Sequence, residues 1–354
     1  CKIVYIMDRL GDKTKVAVGF SGGVDSTAAC LLLKEKGYDV HPVYLRMGEA
    51  EDISELKKIA NDIGLELKVL DLTDRFNNSV VDNFKKAYMN GMTPNPCIVC
   101  NPLVKFRGLM DFADDNGIDL IATGHYARIV KNGDNPVLCR GRNAQKDQSY
   151  MLYGLDSNVF ERLILPLGEY GNKEDIRNIL RTNEIINSEK PDSQEICFLK
   201  QDESYKKFFP EREGEFVDAE GNILGRHRGI HNFTVGQRKG LGITFSKPMY
   251  VLGIAASTNR VMLGSEEELY KERATITDVK YLGNDISKCT DDAHKGLYRA
   301  KVRYSSAEYE IKEINLKGSD LEIVFNEPVR AIAPGQSLVV YCRDVVILGG
   351  IIVG

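Results

Sequence analysis

Two groups of residues in this 354-residue chain have the types and spacing to do chemistry. The first is Gly19, Phe20, Ser21, Gly22, Gly23, Val24, Asp25 and Ser26, which takes over at the end of an apolar run, residues 16–20. That run reads as a buried strand, Ser-Gly-Gly as its turn, and residues 26–36, closed by Gly37, as a helix. A strand, a glycine turn and a helix start make an anion cradle. Glycine lets backbone N–H groups approach phosphate oxygens, and the helix start adds about half a positive charge. Ser21 and Ser26 offer hydroxyl donors, and Asp25 a carboxylate that can help hold Mg2+ against phosphates. A plain surface turn also uses Ser-Gly-Gly, but it does not need the three elements in this order. No Gly-Lys-Ser/Thr follows, so this is not a Walker loop.

The second group is sulfur. Thr93-Pro94-Asn95-Pro96-Cys97-Ile98-Val99-Cys100-Asn101 carries a Cys-x-x-Cys pair behind two prolines that stiffen the approach and disfavour helix. A helix is expected to begin near Pro102, since proline fits the first helical position. A helix N-terminus lowers a nearby thiol's pKa, and Lys105 and Arg107 add positive potential. A third thiol, Cys197, lies in the segment 192–198, and spacing alone does not bring it to the pair. The competing readings are a zinc site short of its fourth ligand, disulfide exchange in a pattern unlike thioredoxin, sulfur transfer needing two or three converging thiols, and buried apolar cysteine. The last suits Cys30, inside an apolar helix.

Two shorter segments join these. Thr123-Gly124-His125-Tyr126 ends a strand; Gly124 permits close approach to a nucleotide, and His125 could contact phosphate or base, although a lone histidine is more often structural. Lys146-Asp147-Gln148-Ser149-Tyr150 is a compact polar run suited to RNA contact, with a plain loop as the alternative.

The elements that must position these groups alternate. Strand patterns fall at 16–20, 40–45, 67–72 and 120–123. Between them Ile53, Leu56, Ile59 and Ile63 mark one helix face, with Asp52 and Glu55 as a capping box, and Phe76, Val80, Phe84 and Tyr88 mark another. This order implies an α/β fold with a parallel sheet covered by helices on both faces, whose ligands sit at the carboxyl ends of the strands. The loops after Phe20, Leu45 and Thr123 should converge on one nucleotide pocket. Beyond residue 200 the character changes. Residues 214–264 suggest a small β-rich module, and alternating runs at 274–281, 298–304, 321–325, 337–341 and 345–353 suggest an antiparallel barrel.

Composition sets bounds. The chain is 43% hydrophobic, without an apolar run long enough for a membrane span or a visible secretory leader, and it opens on Cys1. Eight scattered cysteines favour a reducing, cytoplasmic setting over a disulfide framework. A net charge of −4 argues weakly against nucleic-acid binding, but local patches decide. Basic clusters occur at Arg140-Gly141-Arg142 with Lys146, at Arg226-His227-Arg228 and at Arg238-Lys239; each is equally a solvated charged face.

The glycine loop resembles the PP-loop of ATP pyrophosphatases, and nearly the whole chain resembles the tRNA-specific 2-thiouridylase family. The resemblance rests on residues 19–26, 93–101, 123–126, 146–148, 192–198, the Thr234-Val-Gly-Gln-Arg-Lys-Gly-Leu-Gly242 segment, Arg303-Tyr304 and Ala333-Pro-Gly-Gln336. It implies a PP-loop domain over residues 1–203, a small central tRNA-binding domain over 204–271 and a C-terminal β-barrel over 272–354. It implies ATP on Gly19 to Ser26, Leu45 and Gly124. Cys100 and Cys197 match the catalytic pair, and Asn95, Pro96 and Cys97 lie beside the target base. His125, Lys146, Asp147, Gln148, Arg303, Tyr304 and Gln336 match tRNA contacts. The implied reaction is ATP-dependent 2-thiolation of the wobble uridine, position 34, with Mg2+ and with sulfur from a donor protein or inorganic sulfide. Sulfur would travel as a Cys197 persulfide resolved by Cys100. Many members carry Asp where this chain has Cys97, so a 4Fe–4S cluster on Cys97, Cys100 and Cys197 is the second route. The segment 47–52 is shorter than usual, and Asn101-Pro102-Leu103 is unusual after the second cysteine. The alternatives are an amide-forming PP-loop ligase, which would need no reactive thiol, and a non-enzymatic nucleotide- or metal-binding module, which would bind ATP without releasing pyrophosphate.

Overall fold

A computed structural model describes residues 14–49, 52–132, 135–185, 196–199, 203–282 and 296–353. The chain packs into two units: Cys1–Val80 with Cys97–Phe198 and Asp344–Val346, and Val81–Pro96 with Leu199–Arg343 and Ile347–Gly354.

The first unit is built on a parallel sheet. Its strands are β1 (Lys15–Gly19), β2 (Asp39–Arg46), β3 (Lys68–Asp71), β4 (Leu120–Ala122) and a short strand at Leu163–Ile164. The order, β3-β2-β1-β4 and then the short strand, reverses direction between β1 and β4. Registers Val16↔Val40 and Val16↔Leu120 place the carboxyl ends of β1, β2 and β4 side by side. Val16, Ala17 and Val18 are fully buried, as a central parallel strand requires. Helix α1 (Val24–Glu35) packs on β1 and β2. It begins two residues earlier than its sequence pattern suggests, because Gly23 takes an extended N-cap conformation (φ −82°, ψ 165°) and Val24 can enter the helix at once.

Helix α2 (Ser54–Asp62) buries Ile59 and Ala60. Its N-cap is Ile53, with no side-chain cap bond, so the Asp52–Glu55 capping box is not formed; Asp52, one residue earlier, accepts from the Ser54 N–H (2.9 Å) and hydroxyl (3.0 Å). The Phe76–Tyr88 pattern is helical but not uniform: α3 (Thr73–Phe76) and α4 (Asp82–Met89) flank a π turn at Asn77–Val81. Four apolar residues spaced by four overrun a 3.6-residue period, and a wider turn absorbs the drift. The sulfur segment differs more. Helix α5 (Pro96–Cys100) starts at Pro96, runs through a π turn at Asn101–Lys105 and continues as α6 (Phe106–Asp115). Pro96, and not Pro102, is therefore the proline that opens the helix. Pro102 sits in the π turn, where the widened turn accommodates its missing N–H.

A hairpin of β5 (Ala127–Asn132) and β6 (Asn135–Arg140) follows β4. Its sequence signal is Asn132-Gly133 between apolar stretches. Two further helices, α7 (Ser157–Arg162) and α8 (Lys173–Thr182), complete the unit, and α8 packs on α1.

The second unit is mostly β. Leu163–Ile164 counts as β7, and the small sheet comprises β8 (Gly214–Val217), β9 (Ile223–His227), β10 (Tyr250–Ala255) and β11 (Arg260–Gly264) around Phe216, Phe233, Val251 and Val261. Strands β12 (Tyr270–Tyr281), β13 (Tyr298–Lys301), β14 (Tyr309–Lys317), β15 (Asp320–Arg330), β16 (Ser337–Cys342) and β17 (Val345–Val353) run β12-β15-β14-β13-β16-β17, and β17 pairs back with β12. The barrel is closed. The expected strands are present, joined by β14, which the sequence reading left out. No helix of the described residues is long and apolar enough to cross a membrane.

Candidate active site

An open cleft of about 200 Å3 lies where the carboxyl ends of β1, β2 and β4 meet, at the reversal of strand order. Its lining includes Gly19, Phe20, Ser21, Asp25 and Ser26 after β1, Tyr44, Leu45 and Met47 from β2, and Thr123, Gly124 and His125 after β4. Lys105 and Gln148 complete it. The expected convergence of three loops is met in the first unit.

The loop after β1 is shaped by its own side chains. Ser26 is buried; its hydroxyl donates to the Gly23 carbonyl (3.1 Å) and accepts from the Ser21 N–H (3.2 Å). Ser26 therefore folds the loop, while the exposed Ser21 faces the cleft. Gly23 has no side chain to cap α1, so first-turn N–H groups of a twelve-residue helix remain for an anion. Gly22 has φ +68°, and a Cβ there would lie 2.3 Å from Leu56. Gly124 lines the cleft, and a Cβ there would meet the Asp25 carbonyl carbon at 2.8 Å and the Ser26 nitrogen at 3.0 Å. Its smallness lets the loop after β4 close on the start of α1.

Asp25 is engaged by protein. Tyr126 donates its hydroxyl to Oδ1 at 2.7 Å, and Lys173 its ammonium to Oδ2 at 2.9 Å. Tyr126 is in turn held by Gln148, which accepts from its N–H (3.0 Å) and donates its own to its carbonyl (2.8 Å). Each Asp25 oxygen thus accepts one hydrogen bond and keeps a further lone pair. Neither Tyr126 nor Lys173 was singled out from sequence, and nothing near Lys173 announces it.

The thiols border the cleft through Met47 and Lys105. Cys100 is buried, and its thiol contacts the Met47 sulfur at 3.8 Å. The Lys105 N–H lies within hydrogen-bonding reach of the same thiol. The Cys100 pKa is pushed up to about 12, by burial above all; the Lys105 charge opposes the rise, and Cys197 and Cys97 add to it. The helix-start argument for an acidic thiol fails here because Cys100 sits a turn inside the helix and is desolvated. Cys97 is exposed, in the first turn of α5. Cys197 is an exposed residue, yet its sulfur has enough protein around it to be pushed above the ordinary thiol range, with Cys97 adding to the rise and Lys105 lowering it. Residues 192–195 of its motif lie outside the described residues. The three thiols thus feel one another, but among the described residues no three His, Cys, Asp or Glu side chains converge closely enough to hold a metal ion.

His125 lines the cleft with its Nδ1 2.7 Å from the Thr123 hydroxyl and its ring 5.6 Å from that of Phe106. Burial, then the charge of Lys105, hold its pKa well below the ordinary value, so it is neutral. Asp147 is buried and accepts from the Gly141 N–H (3.0 Å) and from the Ser149 N–H (3.1 Å) and hydroxyl (2.9 Å), which gives it a loop-organising role. Lys146 beside it is half-buried. Two of the basic clusters carry acidic partners: Arg142 pairs with Glu169 (2.6 Å), Arg226 with Glu213 (3.4 Å) and Arg228 with Glu211 (3.5 Å).

In the second unit three of the singled-out segments are bonded together. Thr93 donates its N–H to the Pro334 carbonyl (2.8 Å) and its hydroxyl to Thr234 (3.2 Å), and its carbonyl accepts from the Gln336 amide (2.7 Å). Gln336 therefore braces the Thr93-Pro94-Asn95-Pro96 segment, in which Asn95 and Pro96 are half-buried. Arg303 donates to the Ala331 carbonyl at 2.8 Å, and Tyr304 next to it is half-buried.

Comparison with known proteins agrees with this architecture. The family described as "tRNA methyl transferase HUP domain" matches residues 14–201, "tRNA methyl transferase PRC-barrel domain" residues 203–265, and "Aminomethyltransferase beta-barrel domain" residues 271–353. A tRNA-specific 2-thiouridylase of Acetivibrio thermocellus is 41% identical over 364 residues, covering 96% of this chain and 99% of the relative. Those of Clostridioides difficile (41% identical, 96% and 98% covered) and Carboxydothermus hydrogenoformans (38%, 98% and 99%) are similarly close. With end-to-end identity at this level and a glycine-loop cleft bordered by thiols, the chain belongs to the tRNA-specific 2-thiouridylase family.

Proposed function

We propose that this protein is a tRNA-uridine 2-sulfurtransferase that uses ATP to replace the C2 oxygen of the wobble uridine, position 34, with sulfur. The observation that carries the reading is the junction of the two chemistries. The cleft at the start of α1 shares Met47 and Lys105 with the environment of Cys100. An amide-forming ligase would need the cleft but not the thiols.

The chemistry follows from the electronics of uracil. C2 is a weak electrophile and its oxygen a poor leaving group. In the first step that oxygen attacks the α-phosphorus of ATP, forming a phosphate ester and releasing pyrophosphate. The first-turn N–H groups of α1 and the hydroxyl of Ser21 receive the negative charge. The base must leave its stack to react, and Asn95, Pro96 and Cys97 are read as its neighbours. In the second step the terminal sulfur of a Cys197 persulfide attacks C2, and AMP departs with the former C2 oxygen. The Cys100 thiolate then attacks the Cys197 sulfur, the bond between the two persulfide sulfurs breaks, and its electron pair becomes the C2 thione. A Cys100–Cys197 disulfide remains, to be reduced by an external dithiol. Sulfur enters as the outer sulfur of a donor protein's persulfide, which the Cys197 thiolate attacks as the donor thiolate leaves; inorganic sulfide serves by attacking the Cys100–Cys197 disulfide, forming the Cys197 persulfide and releasing the Cys100 thiol. We divide the chain into a catalytic domain over 1–203 and tRNA-binding modules over 204–271 and 272–354. In the second unit Arg303, Tyr304 and the segment braced by Gln336 are read as tRNA-facing, and in the first His125, Lys146 and Gln148. Such an enzyme works in the cytoplasm, where its tRNA is.

The test is incubation with ATP, magnesium, sulfide and unmodified tRNA, followed by nucleoside mass spectrometry. The expected product is 2-thiouridine in place of uridine at position 34, formed by iron-free protein and lost in Cys100→Ser and Cys197→Ser, both of which still release pyrophosphate. Turnover unchanged in Cys100→Ser would overturn the reading.

A further inference from the structure

The Asp25 carboxylate poses a problem that the reaction does not solve by itself. It stands in the first turn of α1 and lines the cleft that is to receive a triphosphate. A bare carboxylate there would repel the phosphates that the helix start attracts. The structure meets it with Lys173, the first residue of α8, whose ammonium is 2.9 Å from Oδ2, and with Tyr126, whose hydroxyl is 2.7 Å from Oδ1. Lys173 is well shielded, at 14% side-chain exposure against 33% for Asp25, so the pair is screened far less than a surface salt bridge. The Lys173 ammonium also lies 5.9 Å from the centre of the Tyr126 ring, and Tyr126 itself is 2% exposed. Gln148, another lining residue, fixes the Tyr126 backbone from both sides. The unit Gln148–Tyr126–Asp25–Lys173 thus ties the loop after β4 and the start of α8 to the start of α1.

We propose that Lys173 is a positioning residue for the nucleotide half-reaction: with Tyr126 it holds Asp25 as a charge-balanced, immobile part of the cleft wall, so that ATP phosphates meet the N–H groups of α1 and not an anion. The role deepens the ATP-dependent reading of the same cleft, and it concerns ATP affinity, not sulfur transfer.

The experiment is titration of the full chain with ATP by calorimetry, in EDTA and again with magnesium, alongside KM and kcat for pyrophosphate release. Lys173→Met is expected to weaken ATP binding in EDTA by about tenfold or more and to raise KM for ATP with little change in kcat. Lys173→Arg keeps the charge and should restore binding. The double variant Lys173→Met/Asp25→Asn removes the anion together with its counter-ion and should bring ATP binding in EDTA back to within about threefold of wild type, although it forfeits other functions of Asp25. A purely structural pair predicts the opposite pattern: Lys173→Met lowers the melting temperature, ATP affinity stays unmoved, and the proposal is overturned. It is overturned as well if Asp25→Asn fails to rescue, since Lys173 would then be acting on phosphate directly. The arms also separate this inference from the reading beneath it. Should wild-type protein bind ATP but never thiolate tRNA, the sulfurtransferase reading fails while the calorimetry still decides the role of Lys173.

Discussion

A thiol that must attack as thiolate is an odd choice for a buried position, and Cys100 is buried with its pKa pushed up to about 12. The sign is definite. A thiol raised this far is almost wholly protonated at pH 7, and its thiolate fraction grows about tenfold with each pH unit until the pKa is approached. Single-turnover formation of the thione from a Cys197 persulfide should therefore accelerate about tenfold per unit between pH 7 and 9, measured by rapid quench and nucleoside mass spectrometry. Lys105 is the charge that opposes the rise at Cys100 and at Cys197. Lys105→Met should slow the step several-fold at every pH in this window, and Lys105→Arg should not. A rate flat from pH 7 to 9 would remove Cys100 as the attacking group. His125 adds no titration near neutrality, because burial and Lys105 keep it neutral. At this scale the glycines and cysteines were readable in sequence, since loop chemistry and thiol chemistry are properties of residue type and local spacing. The partners of Asp25 were not. Tyr126 is 101 residues away and Lys173 is 148, and only tertiary closure brings them in.

The elements put these residues in place through close backbone approaches. Strand positions were legible because a parallel sheet buried on both faces writes itself as short apolar runs. The helix starts were less so. Gly23 and Pro96 each begin a helix earlier than apolar periodicity indicates, because a cap is decided by backbone conformation before the first buried side chain. The two π turns were invisible to a 3.6-residue template, although the strict four-residue spacing of Phe76, Val80, Phe84 and Tyr88 carries the trace of one. The tightest approach that matters to the cleft is at Gly124. Gly124→Ala places a methyl group 2.8–3.0 Å from Asp25 and Ser26 backbone atoms, which cannot move without shifting the start of α1. We expect ATP binding to fall at least tenfold, with about 1–3 kcal/mol lost from stability. Calorimetry and denaturant melts check both. Unchanged ATP affinity would mean that the loop after β4 does not define the phosphate end of the cleft.

Across the whole molecule, charge was a poor guide. A net charge of −4 and two basic clusters that turn out to carry Glu169, Glu213 and Glu211 as partners say little about RNA. Segment order says more. The chain enters the second unit at Val81, and it returns to the first at Cys97, immediately after the Thr93-Pro94-Asn95-Pro96 stretch that the second unit bonds to Thr234, Pro334 and Gln336. Whatever fixes that stretch in the second unit also fixes the residue before Cys97. Gly335 is the element of this joint least able to change: its φ is +88°, and a Cβ would lie 2.8 Å from the Cβ of Met92 and 2.9 Å from the Thr93 nitrogen. Gly335→Ala must therefore displace the Thr93 segment or break its bond to Pro334. If Asn95 and Pro96 flank the target base, KM for tRNA should rise about fivefold or more while ATP affinity in the first unit stays within about twofold of wild type. Tandem measurement of tRNA binding by filter retention and ATP binding by calorimetry decides it. Equal losses in both would show general unfolding. Loss of neither would detach the Thr93 joint from tRNA recognition and leave the base-contacting role of Asn95 and Pro96 without support.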